Sequence, residues 1–224
     1  MSKDPRITLF YSPQTRATGA RVLLEELKAP YDLHVLNMKT GEQRQPAYLA
    51  INPLGKVPAV RVNDTLVTEQ GAIYLYLADL FPEAGLAPAL TDPDRGAYLR
   101  WLFIYGSCFE PAVVDRLMKR EPGSMNETPY ASYESVIDML EEALKTGPYL
   151  LGERFTAADL LWGIALCWTT MFGLVEARPA LQVYMDRISG RASIQKVSAE
   201  DAAMVAEHEA AAARMKAASE SLMT

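Results

Sequence analysis

Strand-forming patterns occur only in the first 68 of the 224 residues, and that distribution constrains the fold more than any other feature of the chain. Short β-prone runs are predicted at residues 7–11, 31–36, 59–62 and 66–68. Helical patterns separate or follow them in the order β-α-β-α-β-β-α, and from residue 93 onward only helical patterns remain. This order predicts a small α/β unit followed by an all-helical unit.

The boundary between the two predicted domains is a turn-rich stretch with three prolines and a glycine, residues 81–93. We therefore predict an α/β domain at residues 1–82, a linker at 83–92 and an all-helical domain at 93–224. Helices of the second domain are predicted at residues 94–120, 130–145, 156–172, 180–188 and 199–218. Thr156 and Asp159 match a variant of the capping box, so Asp159 is predicted to be structural.

The first predicted helix has an apolar face and a charged face. Val22, Leu23, Leu24 and Leu27 recur at helical spacing, and Ala29-Pro30 ends the helix. The residues expected to face solvent are Arg21, Glu25, Glu26 and Lys28. A further helix is predicted at residues 70–81, after a hairpin that turns at Asn63-Asp64.

Charge and hydropathy narrow the classes of partner. The formal net charge is -6 and no cluster of Lys and Arg stands out, so a nucleic-acid partner is not expected. The N-terminus shows no apolar signal region, and the longest uncharged stretch, residues 160–175, is shorter than a bilayer span, so no membrane partner is expected. Two cysteines do not make a disulfide framework, and we expect a cytoplasmic protein.

Two sequence motifs follow one another in the predicted α/β domain. Residues 52–60 read NPLGKVPAV, and residues 68–73 read TEQGAI after the hairpin. Both resemble the glutathione-transferase family, in which an NPxGxVP segment is followed by a glutamate, usually then serine, and an alanine-isoleucine pair. Gln70 stands where most members carry serine. The resemblance implies a thioredoxin-like N-terminal domain, a helical glutathione-transferase C-terminal domain, glutathione as co-substrate and a homodimer.

The resemblance also assigns a glutathione site. In thioredoxin-like folds the bond before the motif proline, here Val57-Pro58, is cis, which turns the Val57 backbone toward a cleft where an extended peptide pairs as an added strand. Glu69 is expected to receive the α-amino group of glutathione, and Gln70 to donate to its α-carboxylate. The side chains expected beside the glycyl carboxylate are Gln43, Arg44 and Lys56.

The implied chemistry needs a group that holds glutathione as its thiolate, because a free thiol with a pKa of about 8.5 is mostly protonated at neutral pH. Its place is between the first strand and the first helix. We favour the Thr15 hydroxyl, with positive charge from Arg16 and with Ser12 and Tyr11 as reserves. The alternative is that Thr15 only caps the helix. No cysteine precedes Cys108, which disfavours the cysteine-type branches of the family.

By the same resemblance, the aromatic-rich helix from residue 98 to 120 walls a pocket for the second substrate. Tyr105 and Phe109 are assigned to its wall, and Tyr11 and Pro13 to its floor; the alternative is that the aromatic residues pack in the core.

The implied reaction is conjugation, in which the glutathione thiolate attacks an electrophilic carbon of a small, mostly apolar compound, typically in detoxification. Glutathione-dependent dehalogenation, peroxide reduction, isomerisation and a non-catalytic binding or assembly role stay open. No metal is expected, because the histidines and cysteines form no ligand pattern. Cys108 and Cys167 are predicted to be inert packing residues.

Overall fold

The computed structural model describes residues 5–121, 123–124 and 126–221. The described residues fall into two compact units, one drawn from Met1–Glu69 and Ala192–Thr224 and the other from Gln70–Arg191. None of the helices within the described ranges combines the length and apolar character needed to cross a bilayer.

A four-stranded mixed sheet is the centre of the first unit, with strand order β2-β1-β3-β4. The strands are β1 (Ile7–Tyr11), β2 (Asp32–Val35), β3 (Ala59–Val62) and β4 (Thr65–Thr68). β1 runs parallel to β2 and antiparallel to β3, and β3 runs antiparallel to β4. This is the thioredoxin-like arrangement that the sequence predicted. The bounds predicted for β1 and β3 are confirmed, those of β2 differ by one residue at each end, and β4 begins one residue earlier than predicted.

Short helices connect these strands. α1 (Ala17–Glu26) links β1 to β2, and a 3₁₀ turn (Glu42–Arg44) and α2 (Pro46–Leu49) precede β3. The hairpin between β3 and β4 turns at Asn63, whose φ of 53° is the left-handed conformation that asparagine tolerates.

The C-terminal helix α9 (Ala192–Ser221) belongs to the first unit and packs on α1. It spans 30 residues, so the predicted helix at 199–218 is the middle of a longer element. Lys196 Nζ lies 2.8 Å from Glu25 Oε2, and Lys39 Nζ lies 2.6 Å from Glu209 Oε1. These ion pairs tie α9 to α1 and to the loop that follows β2.

The prediction that Arg21 faces solvent is wrong. Its side chain is buried, with a residue exposure of 5%, because α9 covers that side of α1. The guanidinium is bonded to Glu200 of α9, and Arg21 Nε donates to Tyr31 Oη at 3.3 Å. A charged side chain on a helix can be buried when a distant segment of the chain supplies its partner. The helical pattern alone does not show whether such a segment exists.

The second unit is helical. Its helices are α3 (Gln70–Leu80), α4 (Arg95–Ile104), α5 (Glu110–Met118), α6 (Tyr133–Ala143), α7 (Ala157–Met171) and α8 (Pro179–Ser189). The single helix predicted at residues 94–120 is instead α4 and α5 joined by a π-helical segment, Tyr105–Phe109. A short π segment keeps the chain helical, and Tyr105 and Phe109 keep a four-residue spacing within it, so periodicity alone does not reveal it.

The capping box at the start of α7 is confirmed. Asp159 is fully buried and accepts hydrogen bonds from Thr156 N (2.8 Å), Leu150 N (2.8 Å) and Tyr184 Oη (3.1 Å). One carboxylate therefore satisfies donors from the helix start, the preceding loop and α8.

Replacing that carboxylate tests its structural role. We expect Asp159→Ala to lower the free energy of unfolding by about 2–4 kcal/mol, because it removes a helix cap and leaves buried donors unpaired. Urea unfolding followed by circular dichroism measures this, with Glu153→Ala, an exposed acid in the same loop, as the control. Equal stability of the two variants would contradict the assignment.

Candidate functional site

The loop between β1 and α1 is held by the Thr15 hydroxyl. Thr15 Oγ1 donates to Ser12 O at 2.7 Å and accepts from Ala17 N at 3.1 Å. The side chain thus links the residue that follows β1 to the first residue of α1, whereas the N-cap position is Arg16, whose side chain makes no capping hydrogen bond. The three predicted catalytic residues all lie in this short loop. Ser12 is buried, Thr15 is half-buried and Arg16 is exposed.

Gln14 gives this loop its sharp bend. Its φ of 52° is in the left-handed region, which costs a non-glycine residue about 1–2 kcal/mol. Such conformations persist where surrounding contacts fix them, and they concentrate at ligand sites.

A second loop, residues 52–56, is fixed just before the motif proline. Asn52 Nδ2 donates to Lys56 O at 2.9 Å, and Tyr48 Oη donates to the same oxygen at 2.6 Å. Asn52 Oδ1 accepts from Leu54 N at 3.1 Å, and Gly55 N donates to Asn52 O at 2.8 Å. Asn52 therefore shapes the whole turn, which explains why the motif begins with asparagine.

The residue that follows this loop presents its backbone. The Val57-Pro58 bond is cis, as predicted. In the described part of the chain, neither the N–H nor the C=O of Val57 has a hydrogen-bonded backbone or side-chain partner. Backbone polar groups outside helices and sheets normally find partners. The arrangement is suited to pairing with an extended peptide.

The three residues predicted beside the glycyl carboxylate come together only in part. Gly55 packs against the Gln43 carbonyl and the Arg44 side chain, so close that a Cβ there would lie 2.8 Å from Gln43 O. Arg44 Nη1 donates to Leu54 O at 3.3 Å. Gln43 Oε1 is buried with no hydrogen-bond partner among the described residues. Lys56 is exposed.

Glu69 lies at the junction between β4 and α3, as predicted, and its backbone is unusual. Its φ is 67° and its side chain is exposed. Of the other non-glycine residues with positive φ, Lys28 and Lys119 end helices and Asn63 forms the hairpin turn. Among the described non-glycine residues, only Gln14 and Glu69 take this conformation between a strand and a helix, and both lie in the predicted site.

Gln70, the first residue of α3, is held within the second unit. The Tyr105 hydroxyl lies 3.0 Å from Gln70 Oε1 and is also bonded to Glu110 Oε1. Tyr105 opens the π-helical segment and Glu110 immediately follows it, and such segments often accompany functional sites. The glutamine that replaces the family's usual serine is thus anchored by a tyrosine.

The predicted pocket roles of Tyr105 and Phe109 are not what the structure shows. Their exposures are 3% and 1%, and both rings pack on Trp162, with centroid separations of 5.6 and 5.0 Å. They are core residues of the second unit, which is the alternative left open by the sequence.

The predicted roles of Tyr11 also need correction. Its ring is fully buried and its hydroxyl is bonded to Asp201, so it offers neither a hydroxyl nor a wall to a ligand. Burial and this hydrogen bond raise the pKa of Tyr11 above its ordinary value. Pro13 is buried as well.

Asp201 is the residue at this site that sequence reasoning missed. It lies in α9, 187 positions along the chain from Gln14, and accepts from Gln14 N at 3.0 Å. Nothing in an alanine-rich helix marks one aspartate as buried, so no sequence signal identifies it.

Neither cysteine lies in the β1–α1 loop. Burial raises the pKa of Cys167 to about 11, which fits the predicted unreactive role. Among the described residues there is no group of three His, Cys, Asp or Glu side chains arranged to hold a metal.

Comparison with known sequences agrees with this geometry. Families described as "Glutathione S-transferase, N-terminal domain" and "Glutathione S-transferase, C-terminal domain" match residues 5–79 and 131–192. Glutathione S-transferase GstA of Escherichia coli O157:H7 is 30% identical over 190 residues, which are 84% of this chain and 94% of that protein. Disulfide-bond oxidoreductase YfcG of Escherichia coli (strain K12) is 27% identical over 83% of this chain and 91% of that protein.

Solved structures are similar over nearly their whole length. A glutathione transferase homologue from Sulfitobacter with bound glutathione is 31% identical, with a TM-score of 0.72 over 87% of this chain and 98% of that chain. A sphingomonad glutathione S-transferase complexed with glutathione is 28% identical, with the same TM-score and coverage.

The backbone of Glu69 predicts an unusual effect on stability. Glu69→Gly should raise the free energy of unfolding by about 0.5–1 kcal/mol, because relief of the left-handed conformation outweighs the added freedom of the unfolded chain. Glu69→Ala removes the same carboxylate and keeps the strain, so it should be no more stable than the parent in urea unfolding. A glycine variant no more stable than the alanine variant would contradict the argument.

Proposed function

Because this chain belongs to the glutathione S-transferase family and is a glutathione transferase of the bacterial type, we propose that it conjugates the glutathione thiolate to small, mostly apolar electrophiles. The single observation that supports this most is the Val57 backbone, whose N–H and C=O have no partner among the described residues and follow a fixed turn. Glutathione is a short peptide, and the backbone of its cysteinyl residue, when extended, can pair with such a segment.

The charges around this segment suit the two ends of glutathione. Glu69 supplies a carboxylate for the α-amino group, and Arg44 and Lys56 supply cations for the glycyl carboxylate. Gln43 is a further proposed ligand of the glycyl carboxylate, through its amide NH2, and Gln70 is proposed to contact the α-carboxylate. The exposed Glu69 contributes less to affinity than a buried charge would.

The proposed reaction is a substitution or addition at carbon. The bound thiol loses its proton to solvent, and the resulting thiolate forms a carbon–sulfur bond. In a substitution, the leaving group departs with its electron pair; in an addition, the displaced pair moves to a neighbouring atom, which takes up a proton from solvent. The Ser12–Arg16 loop is proposed to stabilise the thiolate, through the Thr15 hydroxyl and the positive charge of Arg16, with Ser12 as the second hydroxyl. For Thr15 to act in this way, its proton must turn from Ser12 O to the sulfur.

A second candidate reaction is glutathione-dependent reduction of disulfides. The relative named as a disulfide-bond oxidoreductase spans most of this chain, and no cysteine of this chain precedes Cys108. In this reaction two glutathione molecules supply both electrons, giving glutathione disulfide and a dithiol. Parallel assays with an aryl halide and a model disulfide separate it from conjugation.

We further propose that the protein is a cytoplasmic homodimer with a role in detoxification.

The glutathione site is tested by isothermal titration calorimetry of the purified protein. Glu69→Gln should weaken glutathione binding about tenfold, because a hydrogen bond between charged groups contributes about 1.5–3 kcal/mol. Asp64→Asn, which removes one negative charge from the exposed hairpin turn, is the control and should bind as the parent does. The proposal fails if the parent does not bind at millimolar glutathione, or if the two variants bind alike.

The thiolate assignment is tested at Thr15. We expect Thr15→Val to lower kcat/KM for an aryl halide at least about tenfold, a loss of about 1.4 kcal/mol of transition-state stabilisation, and Thr15→Ser to retain most activity. If Thr15 only caps α1, the valine variant instead loses about 1 kcal/mol of stability and keeps its rate. Steady-state kinetics and thermal melting of the same preparations distinguish these outcomes.

A further inference from the structure

Helix α9 places one carboxylate against the loop proposed to stabilise the thiolate. Asp201 is 2% exposed. Its Oδ1 accepts from the Tyr11 hydroxyl, and its Oδ2 accepts from Gln14 N at 3.0 Å and from Thr18 Oγ1 at 2.8 Å. Arg21 Nη1 lies 3.6 Å from Oδ1. These contacts come from the end of β1, the loop and α1. One side chain therefore contacts the chain before, within and after residues 12–16.

The bond to Gln14 acts on the most constrained point of the loop. Gln14 has a left-handed φ of 52°, and its N–H points at Asp201 Oδ2. The left-handed conformation is unfavourable for a residue with a Cβ and needs a compensating contact, which a charge-assisted hydrogen bond supplies. The next residue is Thr15, whose hydroxyl geometry follows from the path of the loop.

Other ion pairs that involve α9 lie away from the loop. Glu200 pairs with Arg21, Lys196 with Glu25, and Lys39 with Glu209, all without contact to residues 12–16. Asp201, by contrast, bonds to the loop itself at Gln14 N while its charge is buried, and this contact points to a role beyond docking.

We propose that Asp201 is a positioning residue for catalysis: it holds the Gln14 backbone so that the loop presents its thiol-stabilising group, and α9 is thereby a required part of the active site. This rests on the proposed glutathione-transferase function. Asp201 itself touches neither glutathione nor electrophile.

The test compares Asp201→Asn with Glu200→Gln, two isosteric changes at adjacent residues of α9. The asparagine amide cannot accept from all of the donors that face the aspartate, so the loop relaxes, whereas Glu200→Gln weakens the docking of α9 and leaves the loop bonded. We expect Asp201→Asn to lower kcat/KM for an aryl halide about tenfold or more, and Glu200→Gln to change it less than about twofold.

Two further measurements separate positioning from general destabilisation. In the pH profile of kcat/KM, Asp201→Asn should move the thiol pKa upward, toward the value of about 8.5 for a free thiol, because the thiolate loses stabilisation. Glutathione affinity by calorimetry should stay within about threefold of the parent, because Val57 and Glu69 are unchanged. A merely structural role would move melting temperature without moving the pH profile.

Each outcome decides the question. Equal rates and equal pH profiles for the two variants overturn the proposal. If Asp201→Asn does not fold, Thr18→Val removes one donor to Asp201 and keeps the branched shape: a rate several-fold below the parent at unchanged glutathione affinity supports the proposal, and the parent rate overturns it. A parent protein that binds no glutathione overturns the proposed function, and the positioning role with it.

Discussion

A carboxylate removed from water has to be surrounded by donors, and this requirement organises the first unit around Asp201. Tyr11, Gln14 and Thr18 supply the donors, and Arg21 supplies the compensating charge. These residues belong to the strand, the loop and the helix at the front of the chain, whereas Asp201 belongs to its last helix. The sheet unit is therefore completed by a segment from the far end of the sequence.

The same requirement explains the second unit. Asp159 is buried at the start of α7 and binds donors from the preceding loop and from α8. In both units a single aspartate joins elements that apolar packing alone would leave free to shift. The loss of one partner from a buried polar network is costly because it leaves the remaining groups unpaired.

Local sequence patterns predicted the structural features that are determined by residues close together in the chain. The bounds of β1 and β3, the capping box of Thr156 and Asp159, and the cis bond before Pro58 all follow from short motifs. The burial of Arg21 did not, because its partner Glu200 is far away in the sequence and the helical pattern alone assigns charges to solvent. The π-helical segment was missed because Tyr105 and Phe109 keep a helical spacing through it.

The candidate site shows the same division. The motif residues Val57 and Glu69 lie where the sequence placed them, since a fixed turn and a strand end determine their positions. The roles of Tyr11 and of Tyr105 could not be predicted, because each depends on a hydrogen-bond partner that no spacing rule links to it. Side-chain direction at a site is set by tertiary contacts, and the loop residue types alone leave it open.

The central claim is that the β1–α1 loop holds glutathione as its thiolate. The most direct measurement is a pH titration of the ultraviolet absorbance of the thiolate in the binary complex of protein and glutathione. We predict a pKa for the bound thiol at least about one unit below the value of about 8.5 for a free thiol, which corresponds to about 1.4 kcal/mol of stabilisation. A bound thiol that titrates at or above the free value would contradict the claim.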